Sequence, residues 1–386
     1  RNDRARSQQR QRGRHCEELL HSWNPSFLFA LACPALSAVA CGGKGGATNN
    51  NMLNVTAVSP EDGKTLNIAN DVVARVTKNY EAGAFAEYQD GTDKYAGKSV
   101  KLRFAVKGNP APYTVRLSLN SDMSEAEEYR TENGELELYD LYTGAKYYWT
   151  ISAETDGTEK TSRVYGFETD KTPRTIALDG ISNTRDIGGY AAENGKRIRE
   201  GLIYRGANVD GASDAAVKKA KEVYGIKAEL DLRETPLAGG SPFGNDVKYR
   251  QVSGGYYTDG DTSFTDPKNA ERLAESFRFF TEEDSYPAYF HCAIGRDRTG
   301  CLSMIILAVC GVSEEDILLD YELSALSESG SRDKTPITTM LSIFANTLNY
   351  IKSFSDKSLQ KNAETFLLER GVKKEEIDFV KNKLLY

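Results

Sequence analysis

The sequence predicts two folded domains: an all-β sandwich, then an α/β domain whose mostly parallel central sheet is flanked by helices. Three observations carry this. Residues 53–170 show short runs of alternating apolar and polar residues with Gly and Asn at the turns, a period of two that belongs to half-buried strands. After Asp170-Lys-Thr-Pro173 the pattern changes to strands alternating with helical periods, the mark of a parallel sheet covered on both faces. Within that second part, Pro287-Ala-Tyr-Phe290 runs into His291-Cys292, a short loop around Gly295, and an apolar segment from Cys301 to Cys310. That order is strand, tight turn, helix.

Taken in order, residues 1–52 read as a targeting leader and flexible linker. Six arginines form a basic head, and residues 27–40 form an apolar core of secretory length, too short to span a bilayer as a helix. The leader ends Leu36-Ser-Ala-Val-Ala-Cys41-Gly-Gly, which resembles a bacterial lipoprotein signal, although Ala38 stands where that signal has Leu. The resemblance implies lipidation of Cys41 and an exported chain held to a membrane by a lipid anchor alone. A start at Met52 would instead imply a cytoplasmic chain.

In the predicted sandwich, residues 100–106 and 113–119 alternate cleanly, and residues 135–138 lead into a strand across Tyr147-Tyr148-Trp149. These aromatics read as alternating core and face positions. The pattern of Leu141, Gly144, Tyr147 and Trp149, followed by Tyr165-Gly-Phe167, resembles a fibronectin type III-like domain, which implies a spacer or packed companion. The α/β domain covers 174–386. Strands are expected at 197–204, 226–232 and 247–252, with a helix at 212–223. Asp266-Pro267 has the form of an N-cap and first helical residue for a helix through about 280, Ser313 to Asp316 forms a capping box, Thr335-Pro336 opens another helix, and Gly371 separates the last two.

Composition narrows the chemistry. Net charge is −7 and the leader is basic, so the body is acidic, which argues against a nucleic-acid partner. The six cysteines form neither a CxxC pair nor a small disulfide framework. His15 and His21 lie in the leader and only His291 remains in the body, so a serine triad or a multi-histidine metal site is hard to build, and neither metal nor cofactor is expected. Cys301 and Cys310 fit the interior of a helix.

The stretch 289–300 supplies what is left. A loop feeding a helix N-terminus aims backbone N–H groups at one point, and the helix dipole adds to their attraction for an anion. The same field favours thiolate at Cys292. Arg298 returns where the loop closes, with a planar fork suited to phosphoryl oxygens; Gly295 permits unusual backbone angles; Thr299 can donate to the sulfur. Ala293, Ile294, Gly295, Arg296, Asp297 and Thr299 thus line a candidate phosphate loop. The string His291-Cys292, five residues, Arg298-Thr299 resembles the signature of the cysteine-dependent protein tyrosine phosphatase superfamily. Asn183-Thr-Arg185-Asp186-Ile-Gly-Gly189, Gly201-Leu-Ile-Tyr-Arg205-Gly206, Asp231-Leu-Arg233 and Asp320-Tyr-Glu-Leu-Ser324 are similar to recurring segments of its bacterial lipoprotein and secreted members. The resemblance implies a phosphatase-like fold and phosphomonoester hydrolysis through a cysteinyl-phosphate. It also implies a phosphorylated protein as substrate, with a phosphoinositide as the alternative because Arg296-Asp297 precede Arg298.

Supporting roles remain open at this stage. Arg185, Asp186 and Asp231 serve either as structural ion pairs or at the substrate, and Arg205 as either a second phosphate ligand or a salt-bridge partner; His291 is an accessory candidate. The general acid is expected from the loop Ser253-Gly-Gly-Tyr-Tyr-Thr-Asp259-Gly-Asp261, with Asp259 first and Asp261 or Asp297 as alternatives. Two rivals keep the same residues: a phospho-binding module without turnover, and a rhodanese-like sulfurtransferase, against which Arg298-Thr299-Gly300 stands. Oligomeric state is not legible.

Overall fold

A computed structural model describes residues 52–89, 96–234, 240–255, 264, 266–331, 337–355 and 357–386. The Cys41 leader, Asp259, Asp261 and Thr335-Pro336 lie outside the described residues. The chain forms two compact units, Arg1–Leu66, Val100–Leu138 and Ala145–Glu168 in one, Asn67–Ser99, Tyr139–Gly144 and Thr169–Tyr386 in the other. Among the described residues no helix is long and apolar enough to cross a membrane.

The first unit is built on strands β1 (Val55–Ser59), β2 (Lys64–Leu66), β3 (Val100–Val106), β4 (Tyr113–Ser118), β5 (Glu127–Thr131), β6 (Glu135–Leu138), β7 (Lys146–Thr155), β8 (Thr158–Thr161) and β9 (Tyr165–Thr169). One sheet runs β1-β3-β6 and the other β2-β9-β7-β4-β5, with β8 on β7. Every second residue of β3 is buried, as its alternation requires. Phe104 of the first sheet meets Tyr113 and Trp149 of the second at ring-centroid distances of 5.0 and 6.3 Å. Tyr147 and Trp149 are buried, and Tyr147 stacks on Phe167, so the aromatic run is core rather than a binding platform.

Residues 53–170 are not all-β, however. Helix α1 (Asp71–Thr77), capped by Asn70 accepting from the Val72 amide at 2.9 Å, lies between β2 and β3 and belongs to the second unit. Ala69, Val73, Val76 and Phe85 sit in the same buried core as the helices of that unit. A short helix with two buried valines carries too little periodicity to stand out among strands.

The second unit is centred on β10 (Arg185–Asp186), β11 (Ile203–Gly206), β12 (Ala228–Asp231), β13 (Lys248–Gln251) and β14 (Ala288–His291), in the order β10-β11-β14-β12-β13. The sheet is mixed: β11, β14, β12 and β13 are parallel, and the two-residue β10 is antiparallel to β11. Of residues 197–202, expected as strand, only Arg197 and Ile198 make isolated bridges, and the chain then turns, with the Arg197 guanidinium on the Gly189 carbonyl and the Gly201 amide on Asp186. The helices are α2 (Asp214–Glu222), α3 (Pro267–Arg278), α4 (Asp297–Val309), α5 (Glu314–Glu322), α6 (Glu328–Ser331), α7 (Ile337–Lys352), α8 (Leu359–Glu369) and α9 (Lys374–Leu384). The caps follow the expected residues: Asp266 accepts from Lys268 and Ser313 from Asp316. All of α4 from Thr299 onward is buried, including Cys301 and Cys310, whose thiols burial pushes up to about 12. Strand β14 lies centrally, and His291 is in register with Gly206 on one side and Asp231 on the other. The carboxyl ends of three parallel strands therefore finish level, at the edge where such sheets place their ligands.

Candidate active site

Cys292 is the first residue beyond β14, and only 2% of it is exposed. Burial works to raise its thiol, but the Arg298 charge and the Thr299 hydroxyl and amide outweigh it, so the pKa lies below the ordinary thiol value; Asp297 opposes them weakly. The turn after it is dictated by space. Gly295 has φ +72°, and a Cβ there would stand 2.2 Å from the Gly206 carbonyl carbon, so no other residue fits without moving β11.

The loop carbonyls are held from outside. The Asn208 side chain donates to Ala293 O at 2.7 Å, Asn183 to Ile294 O at 2.9 Å, and Arg205 Nη2 to Gly295 O at 2.8 Å and Arg296 O at 3.3 Å. In a trans peptide the C=O and the next N–H point in opposite directions. Four consecutive amides, from Ile294 to Asp297, are thereby turned to the side opposite those donors. At the far side α4 begins, adding its positive end.

The charged residues around the loop divide into scaffold and site. Asp320 on α5 is fully buried between two arginines: it pairs with Arg185 Nε at 2.9 Å and with Arg205 Nη1 through a short contact. Burial raises its carboxyl, and the two guanidinium groups more than reverse that, leaving it below the usual range. Arg205 is thus a salt-bridge partner that tethers the loop from behind, not a phosphate ligand, because its fork is used up by Asp320, Ser303 and the loop carbonyls. Asp186 accepts from Arg174 at 3.0 Å and from the Gly188 and Gly201 amides, and pins the antiparallel strand. Asp231 holds Arg233, whose other end reaches Asp210. Of the residues left open between structure and substrate, Asp186, Asp231, Arg185 and Arg205 all have structural partners here.

His291 is completely buried, with Nε2 3.0 Å from Glu229 Oε1 and Nδ1 3.1 Å from the Cys292 carbonyl. Burial lowers its pKa, but the Glu229 hydrogen bond and charge raise it more. It orients the backbone at Cys292, and both of its ring nitrogens are engaged. Arg296 and Asp297, expected to line the loop, bind each other: both carboxylate oxygens accept Arg296 Nε at 3.1 Å, Tyr321 donates to Asp297 at 2.7 Å, and Arg296 Nη1 reaches Gly330 O. That carboxylate is committed to three hydrogen bonds, which weakens its candidacy as the acid. Arg298 has Nη1 3.3 Å from Leu232 O, and Gly254, at the end of β13, lies against its aliphatic stem while donating to that same carbonyl. The start of the loop expected to bear the acid is therefore beside the arginine.

Sequence reading missed Asn208, Glu229 and the Tyr321–Asp297 bond. Glu229 had a signal, as a charge inside an otherwise apolar strand needs a buried partner. Asn208 had none.

A parallel strand ending in a buried cysteine, a loop with tethered carbonyls and a returning arginine make up an arrangement similar to that of the cysteine-dependent tyrosine phosphatase superfamily. The chain belongs to the Tyrosine phosphatase family, whose profile matches residues 176–386. Over 169 residues it is 30% identical to a Cupriavidus necator protein that is named as a tyrosine-protein phosphatase, covering 38% of this chain and 61% of that protein. The chain thus spans less than two thirds of that relative's length. The core catalytic domain of the PP-IP phosphatase SIW14 from S. cerevisiae, solved with citrate, is similar at 17% identity with a TM-score of 0.28, covering 43% of this chain and 93% of that chain.

Thr299→Ala removes a buried hydroxyl whose interaction with the thiolate helps lower the Cys292 pKa, so the acid limb of Cys292 alkylation by iodoacetamide will move to higher pH. An unmoved limb would mean that Arg298 and the amides set the thiolate alone.

Proposed function

We propose that the chain is a protein-tyrosine phosphatase acting through a cysteinyl-phosphate. The observation that carries this is the tethering of four consecutive loop carbonyls, which turns the amides from Ile294 to Asp297 the other way, where they can meet a phosphoryl group on Cys292. Cys292 Sγ attacks phosphorus and the P–O bond to the leaving group breaks. The amides and Arg298 hold the charge on the three equatorial oxygens, where preorganised donors contribute most. A carboxylic acid protonates the leaving oxygen; Asp259 is our candidate on sequence grounds, with Asp261 behind it. Water then attacks the thiophosphate, Cys292 leaves as thiolate and phosphate is released. Thr299 stabilises that leaving thiolate.

A phosphoinositide is the second substrate reading, favoured by the adjacent Arg296 and Asp297 in the loop. On the leader residues alone we also propose export and lipidation at Cys41, with the first unit, a fibronectin type III-like companion, as a spacer.

The test is phosphate release from a phosphotyrosine peptide, a phosphoserine peptide and a phosphoinositide, with EDTA present. Release from phosphotyrosine at least about tenfold faster than from the others supports the first reading. Faster release from the lipid moves the assignment to phosphoinositides. Binding of all three without release would favour a phospho-binding module.

A further inference from the structure

We infer that the segment from Asn67 to Gln89, which lies upstream of the family-matched region, positions the Cys292 loop through Glu322 and Tyr321. The inference rests on the phosphatase reading above and adds a positioning element to it.

Tyr80 Oη donates to Glu322 Oε1 at 2.7 Å, and the Gly83 amide donates to the same oxygen at 2.7 Å. Glu322 is buried at the end of α5, and these are strong bonds because the acceptor is a carboxylate withdrawn from water. Its neighbour Tyr321 faces the loop. The Tyr321 ring stacks on Phe344 with centroids 4.1 Å apart, and it lies so close to Gly300 that a Cβ there would stand 2.7 Å from its edge. Its hydroxyl donates to Asp297 at 2.7 Å, one residue before Arg298.

The two bonds to Glu322 come from outside the sheet and helices that the signature builds. Consecutive residues of a helix project about 100° apart, so a grip on Glu322 sets the rotation and height of Tyr321. Tyr321 in turn sets the first turn of α4, where Arg298 and the last of the four amides arise. Phe85 and Val73, both fully buried in the core shared with α4, anchor the segment so that Tyr80 and Gly83 are presented at a fixed place. A displacement of 1 Å at a positioning contact is enough to lower turnover substantially.

The experiment compares the full chain with Tyr80→Phe, Tyr321→Phe and the double variant, by steady-state phosphate release, thermal midpoint and the pH dependence of Cys292 alkylation by iodoacetamide. Tyr80→Phe should lower kcat about three- to tenfold with KM changed less than about twofold, the mark of lost transition-state alignment. In the Tyr321→Phe background the same change should cost no further kcat, while the thermal midpoint still falls, because activity coupling passes through Tyr321 and packing does not. The alkylation midpoint should move in the same direction in both single variants, and no further in the double. A thermal loss with unchanged kcat and unchanged alkylation, or equal kcat losses in both backgrounds, overturns the inference while leaving the phosphatase reading in place. If the unmodified chain releases no phosphate, the phosphatase reading falls, and the alkylation series alone decides whether the segment positions the loop.

Discussion

Replacing Cys292 by serine will reduce phosphate release by about a thousandfold or more while the protein stays folded, the expectation when a covalent nucleophile is removed. The reason is local. The field of Arg298, Thr299 and the loop amides favours a thiolate, and a serine hydroxyl in the same field stays protonated because its intrinsic pKa is far higher. Among the described residues His291 is not placed to activate it, since it is occupied by Glu229 and the Cys292 carbonyl. The carbonyl tethers to Asn208, Asn183 and Arg205 do not involve the sulfur, so the cradle survives and phosphotyrosine peptide should still bind. Measured together, loss of turnover with retained binding supports covalent catalysis. Full turnover by Cys292→Ser would end that mechanism, whatever the substrate.

Asp320→Asn will destabilise the protein by about 3–5 kcal/mol, because it leaves two buried guanidinium groups without their charge partner. The change is close to isosteric, so the loss reports charge rather than volume. Urea denaturation with unchanged m-value measures it, and the exposed Lys98–Asp71 pair is the control, where removal should leave stability little changed. Activity should fall as well, since Arg205 loses its anchor and with it the grip on Gly295 O. The pH behaviour follows from the lowered Asp320 pKa: the ion pair contributes above the ordinary carboxylate range and is lost as acid passes down through the lowered value. In Asp320→Asn that acid-dependent component should be missing. A change below about 1 kcal/mol would mean that the two arginines find water or another acceptor on losing the carboxylate.

Much of the site was legible from local order. Spacing alone put Cys292, Gly295 and Arg298 into one loop, because strand, turn and helix are contiguous and the reach of a short loop is fixed by backbone geometry. The caps at Asp266 and Ser313 and the buried helix carrying Cys301 and Cys310 were legible for the same reason. What failed was the role of residues whose partners lie far away in the chain. Arg205 and Asp320 are 115 residues apart, His291 and Glu229 are 62 apart, and their pairing depends on how the parallel strands are ordered. The same holds for α1, whose two buried valines find their core only after the chain has passed through several strands.

The amino-acid sequence by itself placed Cys292, Arg298 and the loop between them at a turn from strand into helix, because such a turn needs only neighbours. The tertiary structure decided which charges face substrate and which hold the scaffold. A buried charge must be paired, and its partner is chosen by register: Gly206, His291 and Asp231 finish level, which brings Arg205 under the loop and Glu229 to the histidine. It also decided that the segment carrying Ala69, Val73, Val76 and Phe85 belongs with the second unit, since these apolar side chains are buried in the core that α4 and its neighbours complete.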